Sequence, residues 1–385
     1  MTSKERHAIR YQRRVRRRQE KNHFKNITFD DVFSLENLYR AGKRCCNGSR
    51  WKSSTINFET RLFKEALDVY ESLHNGKRKF PGFNSFTTIE HGKLRYIDAL
   101  PIRERMIQKC FCENLLTEGF ARRFIYDNSA SLSGKGMDFA LKRLKKHLRQ
   151  HFRKHGLEGG IYMFDFHSYF ASLSHAVIKE RAKAVIGDER LYNLFCSLVD
   201  DFGRMKKHNH ERGVGLGSEI SQIIALDYAS PIDHYIKDKC CKSYGRYMDD
   251  GYVISDSLSE LKQLKEDVYA LAKRLGLTMN DKKNTIIPFR HHSFTFLKMR
   301  FKIKETGRII VKLSRKSIKA IRRKLYIFRR WADTGRLNPK DALSSYQSWR
   351  SYAMRADSHR TLRNMDRRFK YLFRQRRDLD EVYCT

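Results

Sequence analysis

Three aspartates stand where they could do chemistry together. Asp165 closes the apolar run Ile161-Tyr162-Met163-Phe164, and Asp249 and Asp250 sit within Arg246-Tyr247-Met248-Asp249-Asp250-Gly251-Tyr252, between two short β-type segments. A strand end and a hairpin tip can lie side by side in one sheet, which would bring the three carboxylates together. Carboxylates so placed repel one another and need cations to stay ionised. An all-oxygen ligand set with room for substrate phosphates suits Mg²⁺, with Mn²⁺ as the alternative ion. Two such ions, about 3.5–4 Å apart, would activate a primer 3′-hydroxyl and stabilise a departing pyrophosphate. Asp-Asp-Gly is also an ordinary tight-turn sequence, so the triad needs the company of other motifs to carry that reading.

The elements that must position these groups follow from periodicity. Ile161–Phe166 reads as a buried strand, and Tyr244–Met248 and Tyr252–Ser255 read as strands flanking the acidic turn. Upstream, a loosely amphipathic helical pattern runs from Phe33 to about Tyr70, and residues 77–89 form a connector into a short strand at Lys93–Ile97. Helices are predicted from Ile102 to about Glu118 and from Asp138 to His155. The second has Phe139, Leu141, Leu144 and Leu148 on one side and Lys142, Arg143, Lys145, Lys146 and Arg149 on the other. Downstream, Ile309–Leu313 reads as a strand, Ser314 opens a basic helix through about Trp331, and further helices run to Phe373. The class is α+β, with no internal repeat or low-complexity linker.

Charge narrows the partner. The 385 residues hold 80 Lys and Arg against 43 Asp and Glu, a formal charge of +37, with 40% hydrophobic and 12% aromatic residues. Such a chain can bury a core, and no run is apolar enough to span a bilayer, so no membrane role is expected. Self-repulsion on this scale is most simply relieved by a polyanion, and Tyr, Phe and His interleaved with the cations could stack on bases. Residues 4–25 concentrate ten Lys and Arg against Glu5 and Glu20, a basic arm for a phosphate backbone. The eight cysteines form no C-x2-C pair and no secretory leader is evident, which points to reduced thiols in a cytoplasm.

An ordered series of motifs over residues 93 to 303 resembles the reverse transcriptases. Tyr247-Met248-Asp249-Asp250 is similar to the family's Tyr-x-Asp-Asp box, and Phe164-Asp165-Phe166-His167-Ser168-Tyr169-Phe170 to its first catalytic strand. The resemblance implies that Asp165, Asp249 and Asp250, with the main-chain carbonyl of Phe166, hold the two ions. It also places Phe170 beneath the sugar of the incoming nucleotide, which implies dNTP substrates. Gly213 to Ala225 resembles the family's glycine-rich turn, with Gly217, Ser221 and Gln222 at its marked positions and Leu216 where many retroviral and intron enzymes carry glutamine. An aliphatic residue there is similar to diversity-generating retroelement enzymes, known for error-prone copying of template adenines, and to defence-associated bacterial enzymes.

Leu94 to Arg105 resembles the finger segment of bacterial and group II intron enzymes, which implies triphosphate contacts for Arg95 and Arg103 and leaves Arg105 to pair with Glu104 or a nearby acid. Tyr126 to Gly136, with Lys135, resembles the segment before the basic helix, and Lys142 and Lys145 extend that grip on template or primer. Leu277-Thr278-Met279-Asn280-Asp281-Lys282-Lys283 matches the Leu-x-x-Asn-x-x-Lys turn, whose lysine protonates pyrophosphate; Lys283 fits, with Lys282 competing beside it. Phe296-Leu297-Lys298-Met299 resembles the primer-grip turn, with Lys298 where many relatives carry glycine. Arg315, Lys319, Arg322 and Arg323 fit a thumb helix that tracks a duplex.

The resemblance implies a right-hand polymerase: a basic arm at 1–26, fingers at 27–156, a palm at 157–305 with an antiparallel sheet packed on helices, and a helical thumb with its tail at 306–385. No segment for an RNase H or integrase domain is expected. The implied activity is RNA-directed DNA synthesis in a bacterial or phage retroelement such as a diversity-generating one. A defence enzyme making DNA on a dedicated non-coding RNA is the alternative, and a non-catalytic RNA-binding scaffold the second. The partners are an RNA template, a DNA primer or product, dNTPs, and an accessory protein or further copies of the chain.

Overall fold

The computed structural model describes residues 24–90, 93–205, 211–239, 243–290 and 292–373. The basic arm up to residue 23, Cys240, Cys241 and Cys384 lie outside the described residues. The chain opens on helices α1 (Phe29–Val32), α2 (Leu35–Cys45), α3 (Ser53–Thr60) and α4 (Leu62–His74). Thr28 starts the first with a reciprocal cap to Asp31, and Ser34 caps the second through the Asn37 amide. Strands β1 (Asn84–Glu90) and β2 (Lys93–Ala99) follow as an antiparallel hairpin. Most of β1 falls within residues 77–89, expected as a connector. The strand comes from pairing along 93–99, from Asn84 opposite Ala99 to Glu90 opposite Lys93, which no local pattern reveals.

The predicted helix from Ile102 is continuous but uneven: α5 (Ile102–Phe111) passes through a π-helical turn at Cys112–Leu116 into α6 (Thr117–Ala121). Then come α7 (Met137–His155), β3 (Gly160–Phe164), α8 (Tyr169–Ser172), α9 (His175–Ala182), α10 (Glu189–Phe202), α11 (Glu219–Tyr228) and α12 (Ser230–Lys239). The hairpin β4 (Tyr244–Tyr247) and β5 (Asp250–Ser255), helix α13 (Leu258–Arg274) and strand β6 (Thr285–Pro288) complete a four-stranded antiparallel sheet in the order β4-β5-β3-β6.

This sheet is covered on both faces, because side chains alternate along β3. Tyr162 and Phe164 join Tyr244 and Val253 in a core with Ile223, Ile224 and Leu226 of α11 and Leu261, Leu264 and Val268 of α13. Ile161 and Met163 join Tyr252 and Ile254 on the other face, against Leu141, Leu144 and Leu148 of α7. That second core is shared with a three-stranded sheet of β7 (Phe294–Phe296), β8 (Met299–Ile303) and β9 (Ile309–Leu313). Helices α14 (Arg315–Asp333), α15 (Pro339–Ala353) and α16 (His359–Phe373) close the described chain around Leu325, Tyr346 and Phe369. Asp138 at the start of α7 accepts two hydrogen bonds from Arg355, which ties this end to the sheets. Among the described residues no helix is long and apolar enough to cross a membrane.

Register decides how close the aspartates come. Phe164 pairs with Gly251, so Asp165, one residue on, falls level with Asp250. A Cβ at Gly251 would lie 2.2 Å from Cζ of the Phe164 ring, so glycine is what lets that ring lie across β5 beside the acidic turn. Gly251→Ala is expected to lower the unfolding free energy by about 1–3 kcal/mol, the usual cost of overpacking, as measured by urea denaturation.

Candidate active site

Asp165 leaves the end of β3 with 3% of its surface exposed. The turn at Leu277–Asn284 folds back onto it. Phe166 bridges Met279, the His167 amide donates to the Thr278 carbonyl at 2.8 Å, and the Asn280 amide donates to the Asp165 carbonyl at 2.9 Å. The side chains converge too. Asn280 Nδ2 donates to Asp165 Oδ1 at 3.1 Å, and Lys283 Nζ to Oδ2 at 2.5 Å. Asn284 Nδ2 donates to the Asp165 carbonyl at 3.1 Å while its Oδ1 accepts from Tyr162 Oη. Of the two adjacent lysines it is Lys283 that reaches the carboxylate. Burial opposes its charge, but the hydrogen bond to Asp165 and the charges of Asp165, Asp250 and Asp249 outweigh that and raise its pKa.

Asp249 occupies the two-residue loop between β4 and β5, and Asp250 is the first residue of β5. Burial pushes the Asp249 carboxyl up, and the charge of Asp165 adds to it. Asp250 rises to about 7, from burial first, then the charge of Asp249, then its hydrogen bond with Asp165. Among the described residues no group of three or more His, Cys, Asp or Glu side chains forms a ready ion cage. The donor set still suits a hard cation. It is all oxygen, two of its carboxyls are in hydrogen-bonding reach of each other, and the raised pKa values mark a site short of positive charge.

Beyond Asp165 the chain leads on to Phe170 and the glycine-rich segment. Phe170 on α8, half-buried, has its carbonyl bonded by the Val214 amide at 2.9 Å, which draws the glycine-rich segment alongside. Leu216 is 39% exposed at the tip of that segment, and Gly217 takes φ +93°, a conformation that side chains disfavour. Ser218 caps α11 and donates to Gln108 Oε1 at 2.5 Å. Ser221 is fully buried on α11, and Gln222 Oε1 accepts from Ser131 Oγ at 2.5 Å.

Several cations expected on nucleic acid have protein partners instead. Lys135 Nζ donates to the Tyr126 and Asn128 carbonyls at 2.8 and 2.9 Å, with the Tyr126 and Phe139 rings near it, so it holds its own loop together. Arg103 is held by Glu65 and Asp68. Arg95 lies on β2, with its side chain outside the described residues. Arg105 does not pair with Glu104. Consecutive helical residues point apart, and Glu104 turns inward to Arg78 while Arg105 donates to the Cys45 carbonyl at 3.0 Å. Lys142, Lys298, Arg315, Lys319, Arg322 and Arg323 are exposed, and Lys145 and Leu297 are half-buried. Leu297 and Lys298 take φ +48° and +63°, which explains why glycine suits the second position of this turn.

Asn280, Asn284 and the fully buried pair of Arg246 and Asp233 behind the acidic turn join the site without having been expected there. Asn280 was findable as the motif's own asparagine. The others had no mark beyond residue type.

A family profile described as "Reverse transcriptase (RNA-dependent DNA polymerase)" matches residues 79–301. No curated protein sequence matches the chain. Solved structures similar to it include apo telomerase from Candida tropicalis truncated from its C-terminal domain, at 14% identity and TM-score 0.45 over 60% of this chain and 55% of that one. Telomerase from Candida albicans in complex with a TWJ fragment of telomeric RNA aligns at 11% identity and TM-score 0.47 over 65% of this chain and 51% of that one. The chain spans about half the length of these structures.

The raised Asp250 pKa has a thermodynamic consequence. Between the unfolded value near 3.8 and the folded value of about 7 the folded state binds the extra proton, so stability falls as pH rises through that window. With divalent ions chelated, melting temperature is expected to drop from pH 5 to pH 8. Asp250→Asn is expected to flatten that drop and to melt higher than the parent at pH 8.

Proposed function

The chain belongs to the reverse transcriptase (RNA-dependent DNA polymerase) family, and from that premise we propose that it extends a DNA primer along an RNA template with two Mg²⁺ ions held by Asp165, Asp249, Asp250 and the Phe166 carbonyl. The α+β fold is that of a right-hand polymerase. Within it we assign fingers to 27–156, palm to 157–305 and thumb to 306–385, with the arm at 1–26. The observation that carries the reading is the approach of Asp165 to Asp250 across β3 and β5, with Lys283 seated on Asp165. The ions, when bound, supply the charge that eases proton loss from the primer hydroxyl and neutralises departing pyrophosphate. Lys283, cationic at neutral pH, gives the proton that the pyrophosphate takes up.

Phe170 is the sugar gate, since a ring beneath the nucleotide leaves no room for a 2′-hydroxyl. Leu216, Gly217, Ser221 and Gln222 form the nucleotide's other wall. An aliphatic Leu216 offers no polar clamp to the base pair, which supports error-prone copying and a diversity-generating retroelement in a bacterial cytoplasm. Free thiols at Cys45, Cys46, Cys110 and Cys112 suit such a compartment. Lys142, Lys145, Leu297, Lys298 and the exposed α14 cations Arg315, Lys319, Arg322 and Arg323 would hold the duplex.

Sequencing the RNA and DNA that co-purify from cells carrying the native locus tests the proposal. Asp249→Ala is expected to keep the RNA and lose the DNA. DNA with substitutions at template adenines supports diversity generation, whereas faithful, repetitive or untemplated DNA supports defence. RNA without DNA in both proteins leaves an RNA-binding scaffold. Phe170→Ala is expected to raise ribonucleotide incorporation by roughly tenfold or more in a primer-extension assay, because the excluded volume is removed.

A further inference from the structure

Arg246 on β4 is 1% exposed, and every part of its guanidinium is engaged. Nε and Nη2 donate to the two oxygens of Asp233, at 2.7 and 2.6 Å, and Asp233 is itself wholly buried. Tyr244 Oη donates to the same carboxylate at 2.6 Å. Nη2 also reaches the Leu226 carbonyl of α11 at 2.8 Å, and Nη1 reaches the Met248 carbonyl at 2.6 Å. The backbone of Arg246 is fixed as well, its amide donating to the Asp127 carbonyl and its carbonyl accepting from the Ser129 amide.

A buried ion pair alone is weak evidence for any role, since apolar residues of similar volume often serve stability as well. The Met248 bond distinguishes this one. Met248 takes φ +58° at the first position of the two-residue β4–β5 loop, where hairpins with this backbone usually place glycine. A side chain there works against the turn. The carbonyl that Arg246 captures belongs to the peptide joining Met248 to Asp249, so turning that peptide would swing Asp249 away from Asp165.

We infer that Arg246 is a positioning residue: oriented by Asp233, its guanidinium clamps the Met248 carbonyl and holds the left-handed turn from which Asp249 and Asp250 project. Lysine keeps the charge but cannot make this set of bonds. The consequence falls on the rate of the chemical step and not on substrate affinity, because neither residue of the pair lies on the open face of the site.

The test uses the full chain with Arg246→Lys, Met248→Gly and the double substitution, read by steady-state kinetics, hydrogen exchange over residues 244–255, and thermal unfolding. Arg246→Lys is expected to lower kcat by roughly 10- to 100-fold while dNTP KM moves by less than about threefold, and to speed exchange in the hairpin while α14 to α16 keep theirs. Met248→Gly suits the turn without a clamp, so the double variant is expected to regain about tenfold of the lost kcat and the lost protection. If Arg246→Lys does not fold, Arg246→Gln with Asp233→Asn removes the clamp and leaves no unpaired buried charge. Unchanged kcat and exchange, or a loss shared with KM and melting temperature and not relieved by Met248→Gly, would overturn the inference. The kinetic arm rests on the polymerase reading and the exchange arm does not. A wild type that makes no DNA refutes that reading alone, and the clamp then stands or falls by hairpin protection.

Discussion

Holding carboxylates together against their own repulsion is the constraint around which the middle of this protein is arranged. Asp165, Asp249 and Asp250 come from two strands and a turn, and burial plus mutual charge raises the pKa of the last two. The chain meets this with one opposing charge and a fixed scaffold. Lys283 and Asn280 bond the Asp165 carboxylate, and Asn284 bonds its carbonyl, so the first strand end is immobilised through a single turn at 277–284. Behind the second, Arg246 and Asp233 are paired in the core. Stability is being spent on a charge arrangement that a core designed for stability alone would avoid.

Among the described residues the cations fall into two populations around that negative centre. Cations near the middle of the molecule are tied down: Arg143 and Lys237 meet at Asp127, Arg181 bonds Asp227, and Arg78 joins Glu104 to Asp201. The cations of α14 are mostly on its surface, where Lys319, Arg322 and Arg323 recur at helical spacing. Paired interior charges fix geometry, and exposed ones remain for a polyanion. Composition alone could not separate the two populations, which is why Lys135, read as a grip on nucleic acid, turns out to bond the carbonyls of its own loop.

What the sequence made legible was local. Strand β9 at Ile309–Leu313 and the start of α14 after Ser314 follow from period and cap within a few residues, whereas the β4–β5 hairpin turns at Met248-Asp249, one residue before the expected Asp249-Asp250 turn, because Asp250 pairs with Tyr247. What it hid was long-range. Asn284 reaches the Asp165 carbonyl across 119 positions, and Arg78 bonds Asp201 across 123, distances at which no periodicity speaks. β1 was missed for the same reason, since its residues become a strand only when paired with β2. Arg246 looked like one more cation among 80, and only complete burial with Asp233 marks it out.

Backbone strain gives the last link between fold and site. Among the described residues the non-glycine positions with positive φ are Ser131, Ser168, Met248, Leu297 and Lys298. Ser168 lies between Asp165 and Phe170 and begins α8, and Met248 precedes Asp249. Ser131 is anchored through Gln222, and the Leu297 carbonyl accepts a hydrogen bond from Tyr352. Each strained residue adjoins a group assigned to the site, and Ser131, Met248 and Leu297 are each held by a bond from a different element. Such conformations persist only where their surroundings over-determine them. The strain and the contacts that hold it therefore belong to one device: helices and sheets form the rigid frame, and a few disfavoured turns aim the side chains inward from it.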